Sequence, residues 1–178
     1  SLSFIYGVLL LIGAASGADN PLQPLSRMTL AAAPSPQGGH TQEESWLPVR
    51  SLDDLNRHLA QAAADGKPAV LELYADWCIS CKVMERSVFP RPEVADRLQK
   101  FRLLRADVTA NNAQDKKLLE AFGLFGPPSL VFFSHDGSEM SDVRVQGEIG
   151  AAALARHLAA VLNKDLAEKS GEIAAILP

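Results

Sequence analysis

At 178 residues, with 47% hydrophobic and 21% charged residues, the chain has the make-up of one ordinary globular domain plus extensions, with enough apolar material to bury a core. A formal charge of −4, with no run of Lys or Arg, argues against nucleic acid or an anionic membrane surface as the main partner. Only two cysteines occur, Cys78 and Cys81, so this is not a small secreted domain held by several bridges.

Residues 1–18 carry no charge, and at helical rise they would cross most of a ~30 Å hydrocarbon core. No Met or basic stretch precedes them, so the end of a transmembrane helix fits better than a signal peptide, with a buried soluble segment as the third reading. Over residues 19–45 the composition turns to Pro, Gly, Ala, Ser and Gln. That stretch reads as a flexible tether with a coil span of roughly 30 Å.

The folded part is expected over residues 46–164, where strand and helix signals alternate. Trp46 to Val49 reads as a short edge strand. Ser51 followed by Asp54, with Leu52, Leu55 and Leu59 at helical spacing, starts a helix that Gly66 ends. Ala69 to Ala75 is a nearly continuous apolar run, the pattern of a central strand covered on both faces. The cysteine pair follows directly. A helix is expected from Cys78 to Ser87, resuming from Glu93 to Lys100 after Pro90 and Pro92.

Phe101 to Val108 reads as the next strand, and Ala113 to Phe122 as a helix closed by Gly123. A strand–helix–strand unit of this kind runs its two strands parallel with a right-handed crossover. Ser129–Phe133 and Val143–Gln146 flank His135-Asp136-Gly137, a hairpin signal. Leu154, Leu158, Val161 and Leu162 mark a closing amphipathic helix, and residues 165–178 read as a frayed tail. The fold class is α/β, a mixed sheet flanked by helices.

The cysteine pair admits three readings. As a staple it closes so short a loop that it would contribute only ~2 kcal/mol. As a zinc site it needs roughly four ligands, and His40, His58, His135 and His157 lack ligand spacing. Redox chemistry carries the most weight. At a helix start, the sulfur of Cys78 faces N–H groups without intrahelical partners, which favours the thiolate and makes Cys78 the attacking cysteine. Cys81, one turn deeper on the same face, can reach that sulfur and resolve a mixed disulfide.

Resolution requires Cys81 to lose a proton. Glu72, inside the apolar run, is either a buried base with a raised pKa or a carboxylate that reaches the sheet edge. Glu85, one turn beyond Cys81, either tunes the thiols or sits on a solvated helix face. Lys82 either favours a thiolate or is a plain surface lysine. Trp77 either borders the site or only packs. Pro127-Pro128, ahead of a strand, is either an ordinary turn or a cis peptide, a form mostly confined to X-Pro bonds.

The order of strand, Trp77-Cys78-Ile79-Ser80-Cys81-Lys82, helix, and a later Pro128 before a strand resembles the thioredoxin family. More narrowly, Tyr74 to Lys82, Ala106 to Asn111 and Gly126 to Ser129 look like the C-terminal periplasmic domain of the DsbD family, over roughly Trp46 to Leu162. The resemblance implies a thioredoxin-like fold and a protein-disulfide reductase with no cofactor beyond the Cys78–Cys81 disulfide. It implies a relay in which a membrane-embedded cysteine pair of the same protein donates electrons and the N-terminal periplasmic domain accepts them. From there they would pass to disulfide isomerases and cytochrome c maturation. It places the domain in the periplasm, held to the bacterial inner membrane by the N-terminal segment.

By motif position the resemblance makes Cys78 the attacking and Cys81 the resolving cysteine. Glu72 falls at a buried acid, Glu85 at a modulating acid, and Pro128 at a cis-proline facing the cysteines; Trp77, Pro127 and Pro128 are the residues expected to meet the substrate. Glu72 departs from the family's usual Asp by one methylene. Two other functions compete: a free-standing membrane-tethered thioredoxin that reduces apocytochrome or other disulfides, and a non-catalytic binding module on the same fold.

Overall fold

The structure is a computed structural model that describes residues 46–176, with side chains described as far as residue 171. The expected transmembrane end at 1–18 and tether at 19–45 lie outside the described residues. Among the described residues no helix is long and apolar enough to cross a membrane.

Five strands form one mixed sheet. They are β1 (Leu47–Pro48), β2 (Ala69–Tyr74), β3 (Arg102–Asp107), β4 (Ser129–Phe133) and β5 (Val145–Gln146), in the spatial order β1-β3-β2-β4-β5. β1 and β2 run parallel to β3, whereas β4 runs antiparallel to β2 and to β5. Every residue of β2 and β4 is buried. The continuous apolar runs follow from that placement, because central strands lose both faces to the core. The two edge strands span two residues each, which leaves little unpaired backbone to recruit another chain.

Helix α1 (Leu52–Ala64) begins where the Ser51 side chain accepts from the Asp54 N–H at 3.1 Å. It ends in a Schellman pair: Gly66 at φ +59° donates to Ala63 O, and Lys67 donates to Ala62 O. α4 (Ala113–Ala121) starts with a capping box between Asn112 and Asp115. These two helices cover one face of the sheet, packing Leu55, Leu59 and Leu118 on Leu71, Leu73, Leu104 and Val131. The other face receives α2 (Ile79–Ser87), α3 (Pro92–Leu98) and α5 (Ala151–Ile176), through Met84, Val94, Leu98, Leu154, Leu158 and Val161 against Val70, Leu130 and Phe132.

Two expectations are corrected. The second arm of the hairpin is shorter, since Ser141–Val143 is a 3-10 turn and only Val145–Gln146 pairs with β4. The expected tail from 165 is instead helical as far as Ile176. Long-range contacts hold this extension. The buried carboxylate of Asp165 accepts from the His135 N–H at 2.7 Å and lies 2.9 Å from its ring Nδ1, and the Lys169 ammonium donates to Gly66 O at 3.3 Å.

Candidate active site

β2 delivers the chain to the reactive loop. After Tyr74 the backbone turns, with Cys78 N–H donating to Ala75 O at 3.0 Å, and Cys78 becomes the N-cap of α2. The Sγ of Cys78 accepts from the Cys81 N–H at 3.1 Å, so a sulfur occupies the place a capping oxygen usually takes. Cys78 and Cys81 are joined in a disulfide. Cys78 is 6% exposed and Cys81 not at all, so an incoming sulfur meets Cys78 first. Both pack with Tyr74, Ala75 and Val108.

Large apolar side chains beside the cysteines in sequence, and ahead of the Gly126-Pro127-Pro128 turn, are exposed. Trp77 is 60% exposed, Ile79 81% and Phe125 100%, with Val83 one helical turn beyond Ile79. The Trp77 indole donates to Thr109 O at 3.2 Å, which ties it to the loop after β3 while its ring faces solvent. Gly126-Pro127-Pro128 enters β4 at the end of the sheet where β2 leaves it, since Leu73 pairs with Ser129. The Pro127–Pro128 peptide is cis, with Pro128 buried and Pro127 half-buried.

Beneath the loop lies a charged cluster. Glu72 is 1% exposed; its Oε2 accepts from Arg105 Nε at 2.7 Å, and its Oε1 has no hydrogen-bond partner. Arg105 Nη1 donates to Glu85 Oε1 at 2.6 Å, so one guanidinium joins the acid on β2 to the acid on α2. Glu85 follows Cys81 by one helical turn on the same face. Burial pushes the Glu72 carboxyl up to about 7, against the pull of Arg105. Arg105 is held above its ordinary value by Glu72 and Glu85, although burial opposes this.

Lys82 points elsewhere. Its ammonium donates to the Tyr74 hydroxyl and, at 2.8 Å, to Asp76, and the hydrogen bond from Lys82 holds Asp76 below the usual carboxylate range. The sequence reading missed Arg105 and Phe125. A cation inside the strand RLLRAD was the available signal for the first, and an aromatic ahead of Gly126-Pro127-Pro128 for the second. Among the described residues, no three His, Cys, Asp or Glu side chains are grouped to hold a metal ion.

A family model described as thioredoxin-like matches residues 50–134. Thiol:disulfide interchange protein DsbD 1 of Pseudomonas aeruginosa is 44% identical over 155 residues, covering 86% of this chain and 25% of its own length. The chain spans about a quarter of the length of the curated relatives it matches. The oxidised C-terminal domain of Neisseria meningitidis DsbD is 34% identical with a TM-score of 0.54, and the match covers 62% of this chain and 95% of that one. Its reduced form is 33% identical with a TM-score of 0.55, covering 63% and 96%. The chain therefore belongs to the thioredoxin-like family, on the branch formed by the C-terminal domains of DsbD proteins.

Proposed function

We propose that this thiol:disulfide oxidoreductase domain is one stage of an electron relay on the periplasmic side of the bacterial inner membrane, anchored through the segment ahead of the tether. A membrane-embedded cysteine pair of the same protein reduces the Cys78–Cys81 disulfide, and the N-terminal periplasmic domain takes the electrons onward to disulfide isomerases and cytochrome c maturation. The redox group is the disulfide, and the reading calls on no other cofactor.

In the reduced chain the Cys78 thiolate attacks a partner disulfide. One partner sulfur bonds to Cys78, and the other leaves as a thiolate. Cys81 then passes its proton to Glu72 and attacks Cys78, which closes the intramolecular disulfide and releases the second partner sulfur. Two electrons have moved to the partner. Trp77, Pro127 and Pro128 line the surface across which the partner lies, while Glu72 and Glu85 act from beneath.

The observation that carries this reading is a disulfide whose outer sulfur caps a helix while the inner one is fully buried. Trapping tests it. The Cys81→Ser chain is expected to accumulate a mixed disulfide through Cys78 in a membrane extract, and mass spectrometry names the partner. A DsbD-type membrane or N-terminal domain in the adduct supports the relay. Adducts with apocytochrome alone would favour a tethered thioredoxin, and absence of any adduct would favour a binding module.

A further inference from the structure

We propose that Arg105 is a positioning residue that divides the work of two carboxylates: it takes Glu85 as its standing counter-ion and holds Glu72 by one oxygen, leaving the other to exchange a proton with Cys81. The inference deepens the mechanism above and rests on its reading of Glu72 as the proton acceptor.

The geometry fixes the guanidinium on every side. Arg105 is the register partner of Glu72 across the parallel β2–β3 pair, so both side chains stand on one face of the sheet. Its Nε and Nη1 are engaged by different acids at 2.7 and 2.6 Å, and its Cζ lies 4.7 Å from the Tyr74 ring centroid and 5.3 Å from that of Trp46. Two aromatic rings thus hold the plane that the two ion pairs aim. A lysine, with one point of charge, could not grip both acids in this way.

A charge count then separates the two acids. Arg105 can neutralise one of them, and Lys82, on the same helix as Glu85, is engaged by Asp76 and Tyr74. β4 offers only Leu130 opposite Glu72. With both acids ionised, the cluster would hold an excess negative charge under the sheet's cover, and taking up one proton removes it. Glu72 is the place for that proton. It is the deeper of the two, with side-chain exposure of 1% against 18% for Glu85, and its Oε1 is buried without a partner. Glu72 also shares its strand face with Tyr74, which packs against both cysteines.

The test follows the pH dependence of the resolution step in the 178-residue chain, read by acid-quenched thiol trapping of the mixed disulfide. The unsubstituted chain should lose rate on the acid side of about pH 7, where Glu72 becomes protonated. Arg105→Met should move that limb upward by about one pH unit or more, a tenfold loss of rate at pH 6 that is recovered at high pH. Glu85→Gln should move it downward, because the competing anion is gone. A merely structural role for Arg105 would not send these two variants in opposite directions. Arg105→Lys, retaining the charge without the fork, should fall between, and it serves if Arg105→Met does not fold.

Glu72→Gln separates the role of Glu72 from that of Arg105. If it leaves the limb in place, Glu72 is not the proton acceptor and the underlying mechanism fails. If it removes the limb while Arg105→Met and Arg105→Lys leave it unmoved, the role given to Arg105 is overturned and that of Glu72 stands.

Discussion

The two faces of β2 are built to opposite rules. On one, Leu71 and Leu73 are fully buried among leucines and phenylalanines of α1, α4 and the neighbouring strands. On the other, Val70 gives way to Glu72 and then Tyr74 as the strand approaches the cysteines, and a guanidinium is drawn in between them. The first face contributes stability through area removed from water. The second gives some of that up to place a titratable group beneath a disulfide, where water cannot set its protonation.

Breaking the apolar face should cost most. Leu71→Ala removes a fully buried side chain and should destabilise the chain by about 2–5 kcal/mol in urea unfolding, while the folded fraction exchanges disulfides at an unchanged rate. A loss of exchange in the folded fraction would mean that the two faces are not independent.

The charged face should respond to pH instead. Because the folded pKa of Glu72 stands near 7, above its ordinary 4.5, the folded chain binds this proton more tightly than the unfolded one. Its contribution is therefore complete below about pH 4.5 and is lost as pH rises through about 7. Relative to Glu72→Gln, the oxidised chain should lose on the order of 3 kcal/mol between those limits, read from urea midpoints across pH. A difference that stays flat, or grows with pH in the other direction, would contradict the burial account.

The smallest effect on stability belongs to the reactive surface. Phe125 is wholly exposed, so Phe125→Ser should change unfolding free energy by no more than about 0.5 kcal/mol, yet weaken reduction of protein disulfides several-fold through KM. Equal activity toward protein and small-molecule disulfides before and after the substitution would remove Phe125 from the docking surface.

Much of this architecture is legible along the chain because it is local. The run AVLELY is too apolar for an edge strand, Ser51 and Gly66 bracket α1 by capping chemistry, and the cysteines start a helix immediately after a strand. What escapes a linear reading depends on register. Arg105 acquires its place only when β3 pairs with β2 so that it stands beside Glu72, 33 positions earlier in sequence. The C-terminal helix escapes for the same reason. Its polar last turns look unable to hold themselves, and contacts from Asp165 to His135 and from Lys169 to Gly66 secure them from across the fold.

The central claim is that a sulfur at a helix start is the one that reacts, and alkylation of the reduced chain tests it most directly. Iodoacetamide labelling, with the site of first modification read by mass spectrometry, should find Cys78 modified first, because it caps the helix and is the more exposed of the two sulfurs. First modification at Cys81, or equal labelling of the two, would contradict the account.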